Sequence, residues 1–395
     1  MNYEMLGTIS IGKETDKFKP FTKTVYESGW EKPVLKFLAK CGDNAHLLSV
    51  EGGHWADGHG DIVTFSKAIV NEDGSKKKGE KFTIPFKDRL TSKKLTDVAE
   101  FKKFVFDLEE PGRRFKLKNM TESIKEGKSV TDEQLAGVGL ASETEVAEAY
   151  EKSLKKHHEF IYAGDFIDFI KKVIDSGKYK DKKFLIRGNG NYSYSEKNER
   201  VYESYVPNRI YLAADDAEEY STANFTLLFG ADSLDDMNVE EKGKYLVNGW
   251  TMEYDSNRKG NIPVPTSITF SNSDEKKAAA LVKKFTVDED DAIFEIALEC
   301  NMVNGAQKTE ITPEMLSEEM REDLDCGLIT MDDIRRDLGE SVYGERIKEL
   351  QFSKLGRGSS KGRNATAFTK EDMIIKSIVE EATEDLFDDD LDDDI

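Results

Sequence analysis

The chain has 395 residues, a formal net charge of −21 and 34% charged residues. This acidic balance excludes a generally basic nucleic-acid binder, so any DNA site must be a local basic groove. No apolar run approaches the roughly 18 residues that a membrane span needs. Residues 1–5 lack the basic and apolar parts of a signal peptide, and Cys41, Cys300 and Cys326 lie far apart without metal-ligand spacing. We therefore expect a reduced, cytoplasmic protein without a membrane partner.

The N-terminal part reads as short strands. Apolar alternation and β-branched residues predict strands at residues 6–11, 34–38, 46–50, 62–70 and 81–86. Asp73-Gly74, between the last two, is a hairpin signal. This part is predicted to be an antiparallel, β-rich unit.

A helical insertion is predicted over about residues 95–180. Its first helix, residues 97–108, rests on apolar residues at helical spacing, namely Val98, Phe101, Phe104, Val105 and Leu108. Thr131 and Ser142 begin N-cap patterns for two more helices. Residues 166–174 predict another helix, closed by Gly177.

Strands return in two series that share a layout. The first covers residues 183–188, 189–195, 200–206, 209–212 and 225–230, and the second covers 243–250, 268–270, 285–287 and 292–298. In each series an apolar strand meets a glycine, Gly188 or Gly249, where a strand can bend as small barrels require. The pattern favours a mainly β (α+β) chain with two small β-barrels of oligonucleotide-binding (OB) type. Two immunoglobulin-like sandwiches would give similar patterns.

Four parts follow along the chain. Residues 1–235 are expected to be the first OB-like domain, which contains the helical insertion. Residues 236–352 are expected to be the second OB-like domain. Its C-terminal part is expected to be helical, with helices starting at Thr312 and at Leu328. Residues 353–379 are expected to be a flexible basic linker with a short helix at 371–378. Residues 380–395 are expected to be a disordered acidic tail.

No set of residues predicts an enzyme. His54 and His59 bracket Trp55 and Asp57, but they lie in a glycine-rich loop, which favours a hydrated or base-contacting loop over a metal site. The sequence has no phosphate-binding loop, and Gly188-Asn189-Gly190-Asn191 lacks the third glycine of a dinucleotide loop. We therefore expect a non-enzymatic protein without cofactor, metal or small-molecule substrate.

Aromatic residues interleaved with basic ones are the candidate binding residues. Cations follow phosphates, and aromatic faces stack unpaired bases regardless of sequence. The competing interpretation is that these strand aromatics pack in a core. The candidates are Lys17, Phe18 and Lys19 in an early loop; Arg187, Tyr192, Tyr194, Lys197, Arg200, Tyr202, Tyr205 and Arg209 in the first strand series; and Trp250, Tyr254, Arg258 and Lys259 at the matching place in the second.

The C-terminal tail carries ten acidic residues and no basic one. Its candidate partner-binding residues are Phe387, Asp388, Asp389, Asp390, Asp392, Asp393, Asp394 and Ile395. An acidic tail with apolar residues at its tip resembles the tails of bacterial and phage single-stranded DNA-binding proteins. The resemblance implies a phage-type protein of DNA replication, recombination and repair in the host cytoplasm. It would coat single-stranded DNA and recruit replication or recombination proteins through the tail.

Another class stays open. An acidic structural or protein-interaction factor, such as a virion or anti-defence protein, would engage a basic partner and would not bind DNA.

Overall fold

The computed structural model describes residues 1–70, 76–237, 239–255, 257–310, 313, 316–338, 341–359 and 362–375. The strands are β1 (Asn2–Ser10), β2 (Phe21–Val25), β3 (Trp30–Cys41), β4 (Asn44–Glu51), β5 (His54–Trp55), β6 (Asp61–Phe65), β7 (Ile69–Val70), β8 (Lys76–Lys77), β9 (Lys81–Pro85), β10 (Phe104–Asp107), β11 (His157–Phe160), β12 (Lys183–Ser195), β13 (Arg200–Leu212), β14 (Tyr220–Phe229), β15 (Leu234–Asp235), β16 (Lys244–Asp255), β17 (Gly260–Ser271), β18 (Phe294–Glu310), β19 (Ser341–Leu355) and β20 (Asn364–Ala365). The helices are α1 (Pro111–Lys125), α2 (Asp132–Ala136), α3 (Val146–Leu154), α4 (Ala163–Asp175), α5 (Val239–Lys242), α6 (Glu275–Phe285), α7 (Glu318–Asp325) and α8 (Met331–Leu338). No helix in these ranges is long and apolar enough to cross a membrane.

The protein is mainly β, with helices between the strands, as the sequence predicts. β3 shows how the pattern forms the sheet. Leu35, Phe37 and Ala39 are fully buried, whereas Lys36 and Lys40 are exposed between them. Since successive side chains of a strand point to opposite faces, one face of β3 packs in the core and the other meets solvent.

Five strands of the N-terminal half form a closed cycle of pairings, here named the first strand cycle. β1 pairs with β3, β3 with β4, β13 with β12, and β12 with β1, all antiparallel. β4 and β13 close the cycle by a parallel contact at Leu48 and Tyr205. Numbered in chain order, β1, β3, β4, β12 and β13 are the first to fifth strands of the cycle. Going around the cycle, the strands follow one another in the order first, second, third, fifth and fourth, and the fourth pairs with the first. α4 precedes the fourth strand.

Five later strands repeat this order and form the second strand cycle. β14 pairs with β16, β16 with β17, β19 with β18, and β18 with β14, all antiparallel. β17 and β19 close the cycle in parallel at Ile268 and Leu350. α6 lies between the third and fourth strands, as α4 does in the first cycle.

The two cycles are parts of one 16-stranded sheet in the described part of the chain. β1 pairs with β14, and β12 meets β16 at Tyr192 and Asp255. The main hydrophobic cluster also contains buried residues from both halves, for example Phe37 and Phe229. The predicted boundary between residues 235 and 236 lies inside the second strand cycle, after its first strand β14, and the two cycles share a sheet and a core.

Gly188 and Gly249 both lie where two backbones approach closely. A Cβ atom on Gly188 would be 2.1 Å from the carbonyl oxygen of Val206, and one on Gly249 would be 2.2 Å from that of Leu228. The ladder register also shifts between Arg187 and Gly188. However, Gly188 belongs to the fourth strand of its cycle and Gly249 to the second strand of its own. The predicted equivalence of the two segments is wrong, because the counterpart of β16 is β3.

The predicted helix over residues 97–108 is wrong. Residues 100–102 form a short 3-10 helix, and β10 follows as a strand that pairs in parallel with β13. Val105 and Phe106 are both buried, whereas Phe101 is exposed, so the apolar spacing is not that of one helix face. The predicted helices at Thr131 and at 166–174 are confirmed by α2 and α4, and α3 follows Ser142.

A charged network anchors the helical insertion to the sheet. The buried carboxylate of Asp107, on β10, accepts hydrogen bonds from Arg114 Nη2 at 2.6 Å and from His157 Nδ1 at 2.9 Å. His157 Nε2 donates to Glu159 Oε1 at 3.2 Å. These two carboxylates raise the pKa of His157 to about 9, since they stabilise its protonated form.

Two further predictions are corrected in the C-terminal half. Residues 285–287 were predicted as a strand, but Phe285 ends α6 and packs in the core against Phe229. The predicted flexible linker is docked on β18 where it is described: Gly356 N donates to Ala297 O at 2.7 Å, and Ala297 N donates to Ser359 Oγ at 2.7 Å. The predicted helix at 371–378 is a 3-10 turn at 371–373 in its described part.

Candidate nucleic-acid interface

The loop over residues 11–20 connects the first strand of the first cycle to β2 and β3. Thr15 and Phe18 exchange backbone hydrogen bonds of 2.9 and 3.2 Å, which makes a tight turn. Lys17 and Lys19 are exposed on either side of the half-buried Phe18. The turn thus places two exposed cations beside one half-buried aromatic ring, and contact of this loop with phosphates stays a prediction.

The β12–β13 hairpin carries several candidates, and it separates them into exposed and buried ones. Arg200 lies 5.8 Å from the centre of the exposed Tyr202 ring, and Lys197 is exposed in the turn. Tyr192 is only 2% exposed, and its hydroxyl donates to Glu203 Oε1 at 3.3 Å. Burial and the nearby carboxylates raise the pKa of Tyr192. Its ring packs in a core cluster with Ile262 and Val264 rather than offering a free stacking face.

Three candidate residues at the edges of this hairpin already form hydrogen bonds or pack against other residues of the protein. Arg187 Nε donates to Glu4 Oε2 at 2.5 Å. Arg209 Nη1 and Nη2 donate to Tyr211 Oη at 3.3 Å and to the carbonyl oxygen of Glu100 at 3.1 Å. Tyr205 packs edge-on against other rings and is half-buried. Arg187 keeps half of its side chain exposed, so it is the one of the three that can also meet a phosphate.

The β16–β17 hairpin presents Tyr254 and Lys259 to solvent. The Tyr254 side chain is 58% exposed, and Lys259 lies in the turn with φ of +55°. Trp250 is half-buried and packs with Leu228, Ile293 and Met373. Tyr254 is therefore the more accessible stacking surface on this hairpin.

The two hairpins are held together by contacts across the cycles. Asp255 Oδ2 accepts the backbone N–H of Tyr194 at 3.0 Å. Arg258 pairs with Glu196 at 3.1 Å, and its guanidinium lies 5.0 Å from the Tyr194 ring centre. The Arg258 side chain is 5% exposed, so it connects the hairpins instead of offering a surface cation. The structure thus places Tyr194 against Arg258. Tyr202 pairs across the hairpin with Ser193, so its side chain lies on the opposite face from that of Tyr194.

A cleft of about 560 Å³ lies between the hairpin of the first cycle and strands of the second. Arg200 and Lys348 line it, together with His46, which sequence reasoning missed. Ser221 Oγ donates to the Met302 carbonyl at 2.7 Å, so His46 Nε2 is the donor in its 3.0 Å bond to Ser221 Oγ. Burial lowers the pKa of His46 to about 4, which keeps this wall of the cleft neutral at pH 7.

Lys36 and Lys40 were also missed, although the alternation of β3 could have found them. Both point outward from the second strand of the first cycle and are exposed. Neither forms an ion pair with another described residue. They add two uncompensated positive charges to the β3–β4 face.

His54 and His59 do not share a ligand position. His54 stacks on Phe86 with ring centres 4.9 Å apart and bonds to Tyr162 Oη through Nδ1 at 2.6 Å. His59 stacks on Trp55 at 4.9 Å and pairs with Asp57. Among the described residues, no group of three or more His, Cys, Asp or Glu side chains is placed to hold a metal ion.

The tail candidates, which are Phe387, Asp388, Asp389, Asp390, Asp392, Asp393, Asp394 and Ile395, lie outside the described residues.

Comparison with known proteins assigns the chain to no family. No protein-family model matches the chain, and no curated protein matches it. A deletion mutant of the single-stranded DNA binding protein from Thermus aquaticus is similar over 90% of this chain and 93% of its own, at 7% sequence identity and a TM-score of 0.28. A likeness of this degree establishes neither a shared fold nor a shared function.

Proposed function

We propose that the protein binds single-stranded DNA through two OB-type barrels, one for each strand cycle. The pairing order of the strands carries the proposal. Each cycle has five strands in the neighbour order first, second, third, fifth and fourth, with a parallel contact between the third and fifth. A helix precedes the fourth strand in both. We expect this order from an OB fold, a five-stranded Greek-key barrel, and it supports assigning one such barrel to each cycle.

The position of the candidate residues supports a nucleic-acid role for these barrels. OB folds bind oligonucleotides on the face of their second and third strands and with the loops that follow the first and fourth strands. In the first cycle, that face carries Lys36 and Lys40, the first loop carries Lys17 and Lys19, and the loop after the fourth strand carries Lys197. In the second cycle, the turn between the second and third strands carries Lys259, next to the exposed Tyr254.

The mechanism would be passive. Lysines along the face would follow the phosphates, while Tyr202 and Tyr254 would stack unpaired bases. Because the whole chain is acidic, these local cations would have to outweigh a repulsive surrounding field. The proposal includes coating of single strands in replication, recombination or repair, without catalysis. Recruitment of partner proteins by the acidic tail belongs to the same proposal.

The test is a titration of labelled oligo(dT), matched duplex DNA and RNA over a salt series. We expect the tightest binding to oligo(dT), because stacking requires splayed bases. The logarithm of the binding constant should fall linearly with the logarithm of salt, by about 0.7 for each single-strand phosphate neutralised. Equal affinity for duplex, or no binding at low salt, would refute the proposal.

A second function is favoured by one observation, the pairing of surface cations with carboxylates. Arg187 with Glu4 and Lys348 with Glu203 are ion pairs that reduce the positive charge available to DNA. An acidic protein-interaction factor would need no such charge. Absence of binding to every nucleic acid in the titration would favour this alternative.

A further inference from the structure

A groove of about 820 Å³ lies where the region between β4 and α4 meets both hairpins. Its lining includes residues 62–64 of β6 and residues 101–104. Residues 189–191 of β12 and Tyr254 of β16 line it as well. The groove is therefore lined by a stacking candidate of the second strand cycle together with residues of the first.

Several large apolar side chains that line this groove are exposed to solvent. Phe101 is 71% exposed, and Tyr254 and Val63 are exposed as well. Large apolar side chains exposed together mark interaction sites. Two aromatic side chains, Phe101 and Tyr254, line the groove and are more than half exposed, although the Phe101 ring also lies 6.2 Å from the Phe65 ring.

One polar group in the wall has no partner. Thr64 is only 2% exposed, and its hydroxyl makes no hydrogen bond in the described structure. A buried hydroxyl without a partner destabilises a protein, so its retention at a groove points to a ligand that completes it.

Amide groups supply further donors and acceptors. Four asparagines line the groove, and none of their side-chain amides bonds to another described residue: Asn2, Asn189, Asn191 and Asn208. Asparagine amides pair with the donor and acceptor edges of nucleobases. Splayed bases in single strands are read in this way, by stacking on aromatic rings and hydrogen bonding along their edges.

The charges in the groove permit a polyanion. Glu51 is paired with Lys32 at 2.9 Å, and Glu253 is paired with the N-terminal amine. Lys102 makes no ion pair with a described residue, and its Nζ lies 5.6 Å from the Phe101 ring centre. The carboxylates are thus neutralised, while Lys102 keeps a cation beside the exposed ring.

We propose that this groove binds unpaired nucleobases of the strand held by the two barrels. The strand passes from Tyr254 into the groove, one base stacks on Phe101, and the Thr64 hydroxyl with the nearby amides bonds to base edges. The groove volume lies within the roughly 300–1,000 Å³ of small-ligand sites. This inference rests on the proposed single-strand binding, and it assigns the region between β4 and α4 a direct role in it.

The test uses Phe101→Ala, Thr64→Val and a control, Phe115→Ala, which removes an exposed phenylalanine of α1 that does not line the groove. We expect Phe101→Ala to weaken binding of a long oligo(dT), of about 30 nucleotides, by about 5- to 140-fold, the range for one stacked base. The control should bind as the wild type does.

Thr64→Val separates binding from folding. Because the buried hydroxyl has no partner, its removal should leave the melting temperature unchanged or raise it. The same variant should bind a mixed-sequence single strand more weakly, since the base loses its hydrogen bond. A lowered melting temperature with unchanged affinity would overturn the role assigned to this hydroxyl.

Photocrosslinking with 5-bromodeoxyuridine-substituted single strands gives a direct readout. We expect a crosslinked peptide that contains Phe101. If the wild type binds oligo(dT), but both groove variants bind as tightly as the wild type and the Phe101 peptide is not crosslinked, the groove proposal fails while the barrel proposal stands. If the wild type binds no single strand, both fail.

Discussion

The network around His157 predicts a pH-dependent contribution to stability. Both ring nitrogens bond to carboxylates, Nδ1 to Asp107 at 2.9 Å and Nε2 to Glu159 at 3.2 Å, so the ring acts as a protonated double donor. Its pKa is raised from 6.5 to about 9. A group with a raised folded-state pKa stabilises fully below its unfolded pKa, and this stabilisation is lost as the pH rises through the folded pKa. The window is therefore about pH 6.5 to 9.

The magnitude follows from the shift. A rise of the pKa from 6.5 to about 9 corresponds to roughly 3 kcal/mol before solvent screening. Since the side chain is 31% exposed, solvent screening reduces this, and we expect about 1–2 kcal/mol.

The assay is urea unfolding of the wild type and of His157→Gln at pH 6, 7.5 and 9.5, the variant being a neutral side chain with one donor group. The difference in unfolding free energy between the two proteins should be largest at pH 6 and should shrink toward pH 9.5. Comparing the two proteins at each pH cancels the titration of other groups. A difference that stays constant over this range would refute the reasoning, because it would show that the pKa of His157 is the same in the folded and unfolded protein.

Three further predictions concern binding. Because the Tyr254 ring is exposed, Tyr254→Ala should weaken oligo(dT) binding by about 5- to 140-fold with little change in melting temperature. Because the Tyr192 ring is buried, Tyr192→Ala should instead destabilise the protein by about 3–5 kcal/mol. Thermal unfolding and the oligo(dT) titration check both variants, and equal stability of the two would contradict this distinction between an exposed and a buried ring. The double variant Lys36→Gln, Lys40→Gln should make the salt slope shallower by about 1.4, since each lost phosphate contact removes about 0.7; an unchanged slope would remove the β3–β4 face from the interface. Deletion of residues 380–395 should tighten oligo(dT) binding, most clearly at low salt, because a tethered polyanion competes with DNA for cations; unchanged affinity at low salt would show that the tail does not mask the face.

Local patterns in the sequence predicted much of the strand content but not how the strands close. β3 and β4 follow from alternation, because each buries one face. The parallel contacts that complete the cycles, at Leu48 with Tyr205 and at Ile268 with Leu350, join residues far apart in the chain. No local pattern encodes such a pair.

The failures have physical causes of the same kind. The apolar residues at 97–108 mimic helical spacing, but Phe104 and Phe106 pack on Phe166 of α4, and β13 accepts the segment as a strand. α1 was missed because its apolar residues bury only within the insertion's own cluster, around Leu117 and Met120. The sequence could not distinguish the exposed Tyr254 from the buried Tyr192, because the exposure of a tyrosine depends on its tertiary contacts and not on its residue type.

The double pairing of β1 has a consequence for synthesis on the ribosome. β1 is made first, yet it pairs with β12 along one edge and with β14 along the other. At about 5–20 residues per second, β12 emerges on the order of ten seconds or more after β1, and β14 later still. During this interval the small hydrophobic cluster of α1–α3 can form from local contacts. The sheet of β1, β3 and β4 meanwhile has an edge without its partner strand. An unpaired edge can pair with strands of other nascent chains, so we expect the nascent chain to be prone to aggregation until β14 has been made.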